Sequence, residues 1–352
     1  MHPQAAMWKL ALCALALSAC AGNGGGDDDD VPPGTEVPPW YNGVSTLTGA
    51  ADSGHDDGAR GVARFNNPVN VAFGPDGMLY VADFDNNLVR TVDPETGKTT
   101  TLIKQPNFKR PFGMAFDGGT LYITTDCNSA TGTQGPMTGS VWKVSGGEPT
   151  MLAENIGRPR SLAIVDGNLI VSDYQHHVVS QINKSTGAVT PIAGTWDGAG
   201  MVDGAASKFS TPYGMAVLDG KLVVADFDNN RIRAIASDGT VTTIAGTGTA
   251  GFADGPAASA QLNKPQGVSV VNGVLYFTDL GNCRVRKLSG GTVETVAGTA
   301  MCGFADGDDR AATQFYGLEG LVADPDGSRL YVADGNRGDG NPYNRVRRIE
   351  LQ

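Results

Sequence analysis

The side chains best suited to chemistry occupy one recurring slot, directly after the residue that opens an apolar run. Pro68, Pro111, Pro159, Pro212 and Pro265 open five such runs and Leu318 opens a sixth; the slot holds Val69, Phe112, Arg160, Tyr213, Gln266 and Glu319. An arginine, a carboxylate, an amide and two aromatic rings are groups with which proteins hold small polar ligands or peptides. Glu319 could also help hold a divalent metal, but the other five slots supply no second anion. No metal and no other cofactor is therefore expected. The histidines are His2, His55, His176 and His177. Adjacent histidines do not suit one metal ion and no third stands in position, so His176 and His177 read as a loop pair without a role. No serine or cysteine nucleophile is seen with a paired base.

A second pattern is repeated word for word. Val-Ala-Asp-Phe-Asp-Asn-Asn occurs at 81–87 and at 224–230, each time after a β-rich run and before an arginine, Arg90 or Arg233. Its first aspartate recurs as Asp83, Asp126, Asp173, Asp226, Asp279 and Asp334. Six copies argue for scaffold rather than catalysis, because an aspartate there can accept backbone N–H bonds from the adjoining turn. Asp-x-Asp-x-Asn also opens calcium loops. Here Leu88 and Arg231 stand where glycine is needed, and no glutamate fills the twelfth position.

Short strands must position these slots. The chain has 352 residues, with 49 glycines, 19 prolines and 18% charged residues. Glycine interspersed with Val, Ile and Leu indicates many short strands and tight turns. Each unit reads as an opening proline, an apolar strand, a turn, a second strand ending in aspartate, a loop, a third strand, and a fourth near Ala-Gly. Fourth strands are read at 99–103, 150–153, 189–193, 241–245 and 293–297. Six such units, roughly 50 residues apart, predict an all-β fold, a six-bladed β-propeller of four-stranded antiparallel blades. The run 222–226 is apolar almost throughout, as a strand packed on both faces requires. The sixth unit ends at its third strand, read at 349–352. VSTLTG at 44–49 matches VTTIAG at 241–246. The N-terminal strand is therefore predicted to close the last blade and remove its free edge.

GTGTAGFADGPAASAQLNKPQGV (246–268), followed by LYFTDLGNCRVRKL (275–288), resembles the NHL repeat. The copies at 194–214 and 298–320 agree, and blade 2 departs most, lacking the FxDG linker. The resemblance covers 44–352 and implies the propeller fold. It leaves function open, because such propellers serve as enzymes, sensors and binding platforms. A likeness to peptidylglycine amidating lyase would require histidines converging on the channel. A likeness to lactonase-like propellers would require Glu, Asn and Asp on the inner strands, where only Glu319 fits. In a propeller the slots lie near the mouth of the central channel, with Arg160 and Glu319 facing each other across the axis. An outer ring of Phe84, Cys127, Tyr174, Phe227, Leu280 and Gly335 comes after the strand-end aspartates. Cys283 and Cys302 fall in two loops on one face of blade 5, which predicts a disulfide. Cys127 is left over as a quiet thiol, a redox role being a third option. Arg337-Gly338-Asp339 spells an adhesion tripeptide and reads as coincidence.

MHPQAAMWKLALCALALSAC combines Lys9, an apolar stretch and Leu-Ser-Ala-Cys, and resembles a bacterial lipoprotein signal. The expected organisation is a signal peptide at 1–19, lipidated Cys20, an acidic Gly/Pro-rich tether at 20–40, and the propeller at 41–352. Ala21, rather than aspartate, favours the outer membrane. A net charge of −11 argues against nucleic acid. The expected partners are a membrane, through Cys20, and a protein, peptide or small polar ligand at the loop face; a monomer is expected. The expected function is envelope-tethered binding through Phe112, Arg160, Tyr213, Gln266 and Glu319. The alternative is a metal-dependent lyase or lactonase-like hydrolase at the channel mouth.

Overall fold

The computed structural model describes residues 37–352. The signal segment 1–19, Cys20 and the tether up to residue 36 lie outside the described residues. Six antiparallel sheets form a six-bladed propeller. Blade 4 shows the unit: Pro212–Leu218, Lys221–Asp226, Arg231–Ile235 and Val241–Ala245, paired in that order. The first strands of the six blades are Pro68–Phe73, Pro111–Asp117, Pro159–Val165, Pro212–Leu218, Pro265–Val271 and Gly317–Ala323. Each touches its two neighbours, which closes a ring around the axis. Blade 5 adds a two-residue fifth strand, Gly255–Pro256.

The second strands are apolar on both faces because each face meets a different blade. In blade 4, Leu222 and Val224 pack with Ile170 and Val179 of blade 3. Val223 and Ala225 pack with Leu275 and Phe277 of blade 5. All four are essentially solvent-free. Burying one such side chain contributes about 1.5–3 kcal/mol, so the inter-blade seams carry much of the stability.

Ring closure agrees with the sequence expectation. Val44–Ala50 pairs with Asn344–Glu350, with Val44 opposite Ile349. The last blade thus combines three C-terminal strands with one N-terminal strand. Its third strand spans Asn344–Glu350, an earlier and longer stretch than the 349–352 read from sequence.

Four blades carry the same buried clamp. In blades 1, 4, 5 and 6 the strand-end aspartate meets a third-strand arginine: Asp83–Arg90 at 3.1 Å, Asp226–Arg233 at 2.7 Å, Asp279–Arg286 at 2.7 Å and Asp334–Arg347 at 2.8 Å. The other side of each guanidinium meets an aspartate in the linker before the blade: Asp57, Asp203, Asp254 or Asp306. Two carbonyls take the remaining donors; for Arg233 they belong to Lys208 and Val202. All five donors of a buried arginine are then satisfied, which only its planar fork can achieve. The strand-end aspartate also accepts a backbone N–H, as from Ser210 to Asp226. In these four blades the repeated aspartate is scaffold.

Candidate functional site

Each of the five slot residues begins an inner strand at an irregular point. In blade 4, Pro212 pairs with Asp226 and Met215 with Val224, so the bulge places Tyr213 and Gly214 opposite a single residue. The glycine is needed for close approach to the next blade. A Cβ on Gly214 would lie 2.4 Å from the Gln266 carbonyl oxygen, and one on Gly267 2.3 Å from that of Glu319. Inner strands therefore meet backbone to backbone, and the residue before each glycine turns toward the axis.

Phe112, Arg160, Tyr213, Gln266 and Glu319 all line one axial cavity of about 370 Å³. Blade 1 contributes Asn70 in place of Val69. The side chains sit deeper than the sequence suggested. Arg160, Gln266, Glu319 and Phe112 are buried and Tyr213 is half-buried, so they form an inner ring rather than a rim on the loop face. Beyond this polar ring come Met114, Leu162, Met215, Val268 and Leu321. Phe73, Phe116, Val217, Val270 and Val322 line the far end, where Val217 is 39% exposed. The cavity carries its charged groups at one end and is lined mostly by apolar side chains along the rest, with Ser161 and Ser269 among them.

Arg160 is held from several sides. Its guanidinium lies 4.0 Å from the Tyr174 ring centre, 4.7 Å from Phe112 and 5.9 Å from Tyr213. Such cation–π contacts strengthen as water is removed. Nη2 donates to Asp126 at 3.0 Å, and Arg158 donates to the same carboxylate at 2.6 Å. Burial pushes Asp126 up, but the two guanidinium groups outweigh it and hold the carboxyl below its usual range. The Arg160 Nε–H is buried and has no partner within the protein.

Glu319 does not pair with Arg160 directly. It accepts from Gln266 Nε2 at 3.1 Å. Burial pushes its carboxyl up to about 7, against the attraction of Arg160 and the Gln266 hydrogen bond. The Tyr213 hydroxyl is also raised by burial. The ring thus offers an unused donor, a carboxylate near its titration point, an amide and a phenol.

Asp126 is the residue sequence reasoning misplaced. In blade 2 Thr125, not Asp126, stands opposite the opening Pro111, the register that Asp83, Asp173, Asp226 and Asp279 occupy elsewhere. Trp142 replaces the clamp arginine, and its indole donates to Thr125 at 2.9 Å. Asp126, freed by one position, takes the outer-ring place assigned to Cys127. The signal was present: LYITT at 121–125 aligns with LYVAD at 79–83 once the Leu-Tyr pair is the anchor.

Blade 3 also departs, with Ser180 at the arginine register. His176 serves Asp173 instead, with Nδ1 at 2.6 Å, and its ring stacks on Trp196 at 4.1 Å. His177 Nδ1 accepts the Thr211 N–H at 3.1 Å, as Asn230 Oδ1 accepts that of Lys264. Both histidines have structural work, which corrects the expectation of a pair without a role. Among the described residues no group of three or more His, Cys, Asp or Glu side chains could hold a metal ion.

The other sequence candidates fall outside the cavity. Cys283 and Cys302 form the expected disulfide, with Cα atoms 5.3 Å apart. Cys127 is free and buried, and burial raises its thiol. Arg337 donates to the Tyr316 carbonyl at 2.6 Å and Asp339 accepts from the Tyr316 hydroxyl, so the adhesion-like tripeptide is tied to the body of blade 6. Among the described residues no helix is long and apolar enough to cross a membrane.

No protein-family model matches the chain. Human NHL repeat-containing protein 2 is 25% identical over 320 residues, covering 84% of this chain and 42% of that protein. The chloroplast protein SUPPRESSOR OF QUENCHING 1 of Arabidopsis thaliana is 23% identical over 284 residues, 70% of this chain and 27% of that one. The chain therefore spans less than half of these curated relatives. Among solved structures, a protein of unknown function from Bacteroides thetaiotaomicron superposes with a TM-score of 0.71 at 21% identity, covering 88% of this chain and 76% of that chain. An auxiliary nutrient binding protein from the same species gives 0.67 at 19%, covering 87% and 75%. At these identities the structural likeness speaks for the fold.

Proposed function

For this chain, a six-bladed propeller of NHL-type repeats, we propose a binding function: the axial cavity captures a small polar ligand through Arg160, Tyr213, Gln266 and Glu319, with Phe112 as an aromatic wall. One observation carries the reading. A buried guanidinium, Arg160, and a buried carboxyl, Glu319, line one cavity from opposite blades without pairing with each other, and buried charged groups of this kind favour a ligand that supplies their partners. The cavity size also falls within the range of small-molecule sites. The nutrient-binding names of two Bacteroides neighbours, at TM-scores of 0.67, support the same direction. Cys20, in its Leu-Ser-Ala-Cys context, supports a lipid anchor in a bacterial envelope, at the outer membrane. The acidic tether would hold a monomeric propeller off that surface.

The test is retention of small molecules. Purified protein is incubated with a bacterial metabolite extract, desalted, and examined by native mass spectrometry beside Glu319→Gln and Arg160→Met variants shown by circular dichroism to be folded. Molecules held by the wild type and lost from the variants support the cavity as the site. Equal retention by all three, or none by any, overturns it.

A further inference from the structure

The cavity changes character along its axis, and that gradient specifies more than polarity. One end presents a donor cation, Arg160, and a carboxyl acceptor, Glu319, from opposite blades. The Arg160 Nε–H has no partner, while Gln266 occupies only Oε2 of Glu319. A ligand head that fills this ring needs an acceptor for the arginine and a donor for the carboxylate at once. Beyond the ring the walls are mostly methionine, leucine, valine and phenylalanine, interrupted by Ser161 and Ser269, whose hydroxyl oxygens already accept backbone N–H groups; they fit an apolar tail better than a polyol. The inner ring is buried, so both charges of such a head would be bound out of water. There, paired charges discriminate strongly against a head that lacks one of them.

Resting on the binding reading above, we propose that the ligand is an α-amino acid with an apolar side chain. Its carboxylate meets Arg160, its ammonium meets Glu319 and Tyr213, and its side chain lies along the apolar part of the channel. Asp126 is a positioning residue here. It holds Arg160 against Tyr174 through Nη2.

Isothermal titration of the whole chain with a series of probes tests the assignment, and one variant sharpens it. The probes are L-leucine and L-phenylalanine, 3-methylbutylamine (no carboxylate), 4-methylpentanoate (no ammonium), glycine (no tail) and glucose. One of the two amino acids is expected to bind, and each deleted group to weaken binding at least tenfold. Glu319→Gln should weaken the amino acid at least tenfold and leave 4-methylpentanoate unchanged. Equal binding of the amine, the acid and the amino acid overturns the inference, as does failure of both amino acids to bind at millimolar concentration. Binding of glucose alone overturns it too, while leaving a ligand-binding channel in place. The metabolite-retention experiment decides that broader reading separately.

Discussion

Blades 1, 4, 5 and 6 differ from blades 2 and 3 in where they spend their charge. The four clamped blades hold an Asp–Arg–Asp set between the second strand, the third strand and the preceding linker, with the arginine and the strand-end aspartate buried and, in blades 1, 4 and 5, the linker aspartate exposed. Blades 2 and 3 have short linkers, at 104–110 and 155–158, that carry no such aspartate. Both lack the clamp arginine as well, with Trp142 and Ser180 in its place. An arginine without its linker aspartate would keep its buried counter-ion but leave its Nε–H and one Nη2–H without that acceptor, so the two losses belong together. The blades thereby divide the labour. Where the clamp is gone, Asp126 stands one position later, in the outer ring, where it meets Arg158 and the cavity-lining Arg160. The regular and the exceptional blades both line the cavity, but only the exceptional ones place a cation there and brace it.

The contrast is measured most directly by removing a clamp. Arg233→Met should destabilise the protein by about 3–5 kcal/mol, because it strands Asp226 without its buried counter-ion. Chemical denaturation reads this; a loss below ~1 kcal/mol would mean the clamps are not what holds the regular blades. Asp126→Asn should cost less, about 1–3 kcal/mol, since Arg158 can turn toward water and only Arg160 stays buried. Its larger effect should be on ligand retention, and an unchanged ligand profile would remove Asp126 from the site. His176→Asn should be milder still, within ~1 kcal/mol. Asparagine already fills the equivalent position as Asn86, Asn229 and Asn282, each donating to its strand-end aspartate. A loss as large as that of Arg233→Met would show that blade 3 has its own kind of clamp.

A pH series adds a smaller effect. Glu319 is pushed up to about 7 by burial, so the folded protein keeps a proton that the unfolded chain releases nearer the ordinary carboxyl value of 4.5. Stability should therefore fall as pH rises from about 4.5 to about 7 and then level off. Burial also raises Asp83 to about 7 and Asp226 to about 6, so Glu319→Gln should make this slope of the Tm–pH curve shallower rather than abolish it; an identical slope in the variant would place the titration elsewhere. Smallest of all, Cys127 should resist alkylation in the native state and react fully in denaturant, given its burial and raised thiol. Rapid native labelling would revive a redox role.

The fold was legible because repetition multiplies a weak signal. One apolar pentapeptide is ambiguous, but six with an aspartate at the same place indicate blades, and VSTLTG pointed to its own distant partner strand. The inner ring was legible too, since a slot that varies inside a fixed frame stands out. Depth was not legible. Nothing in Pro-Arg-Ser or Pro-Tyr-Gly shows that Tyr174 will cover the arginine or that glycine contacts will draw the inner strands together. Asp126 was misassigned because an aspartate one residue late looks like the expected aspartate, while the register is set by the apolar residues that pair. Blade 3's missing linker went unnoticed behind blade 2's more conspicuous one.

Pairing of Val44–Ala50 with Asn344–Glu350 also sets a timetable for folding. On the ribosome the first strand emerges about 300 residues before its partner, so most of the ring can assemble while this strand waits unpaired, a long-range contact of the kind that slows folding. Until the C-terminal strand arrives, both ends of the nascent ring present open strand edges, the surface from which chains misassociate. Nascent chains that stop short of Asn344 should accumulate as aggregation-prone, protease-sensitive species, whereas the complete chain becomes resistant in one late, cooperative step.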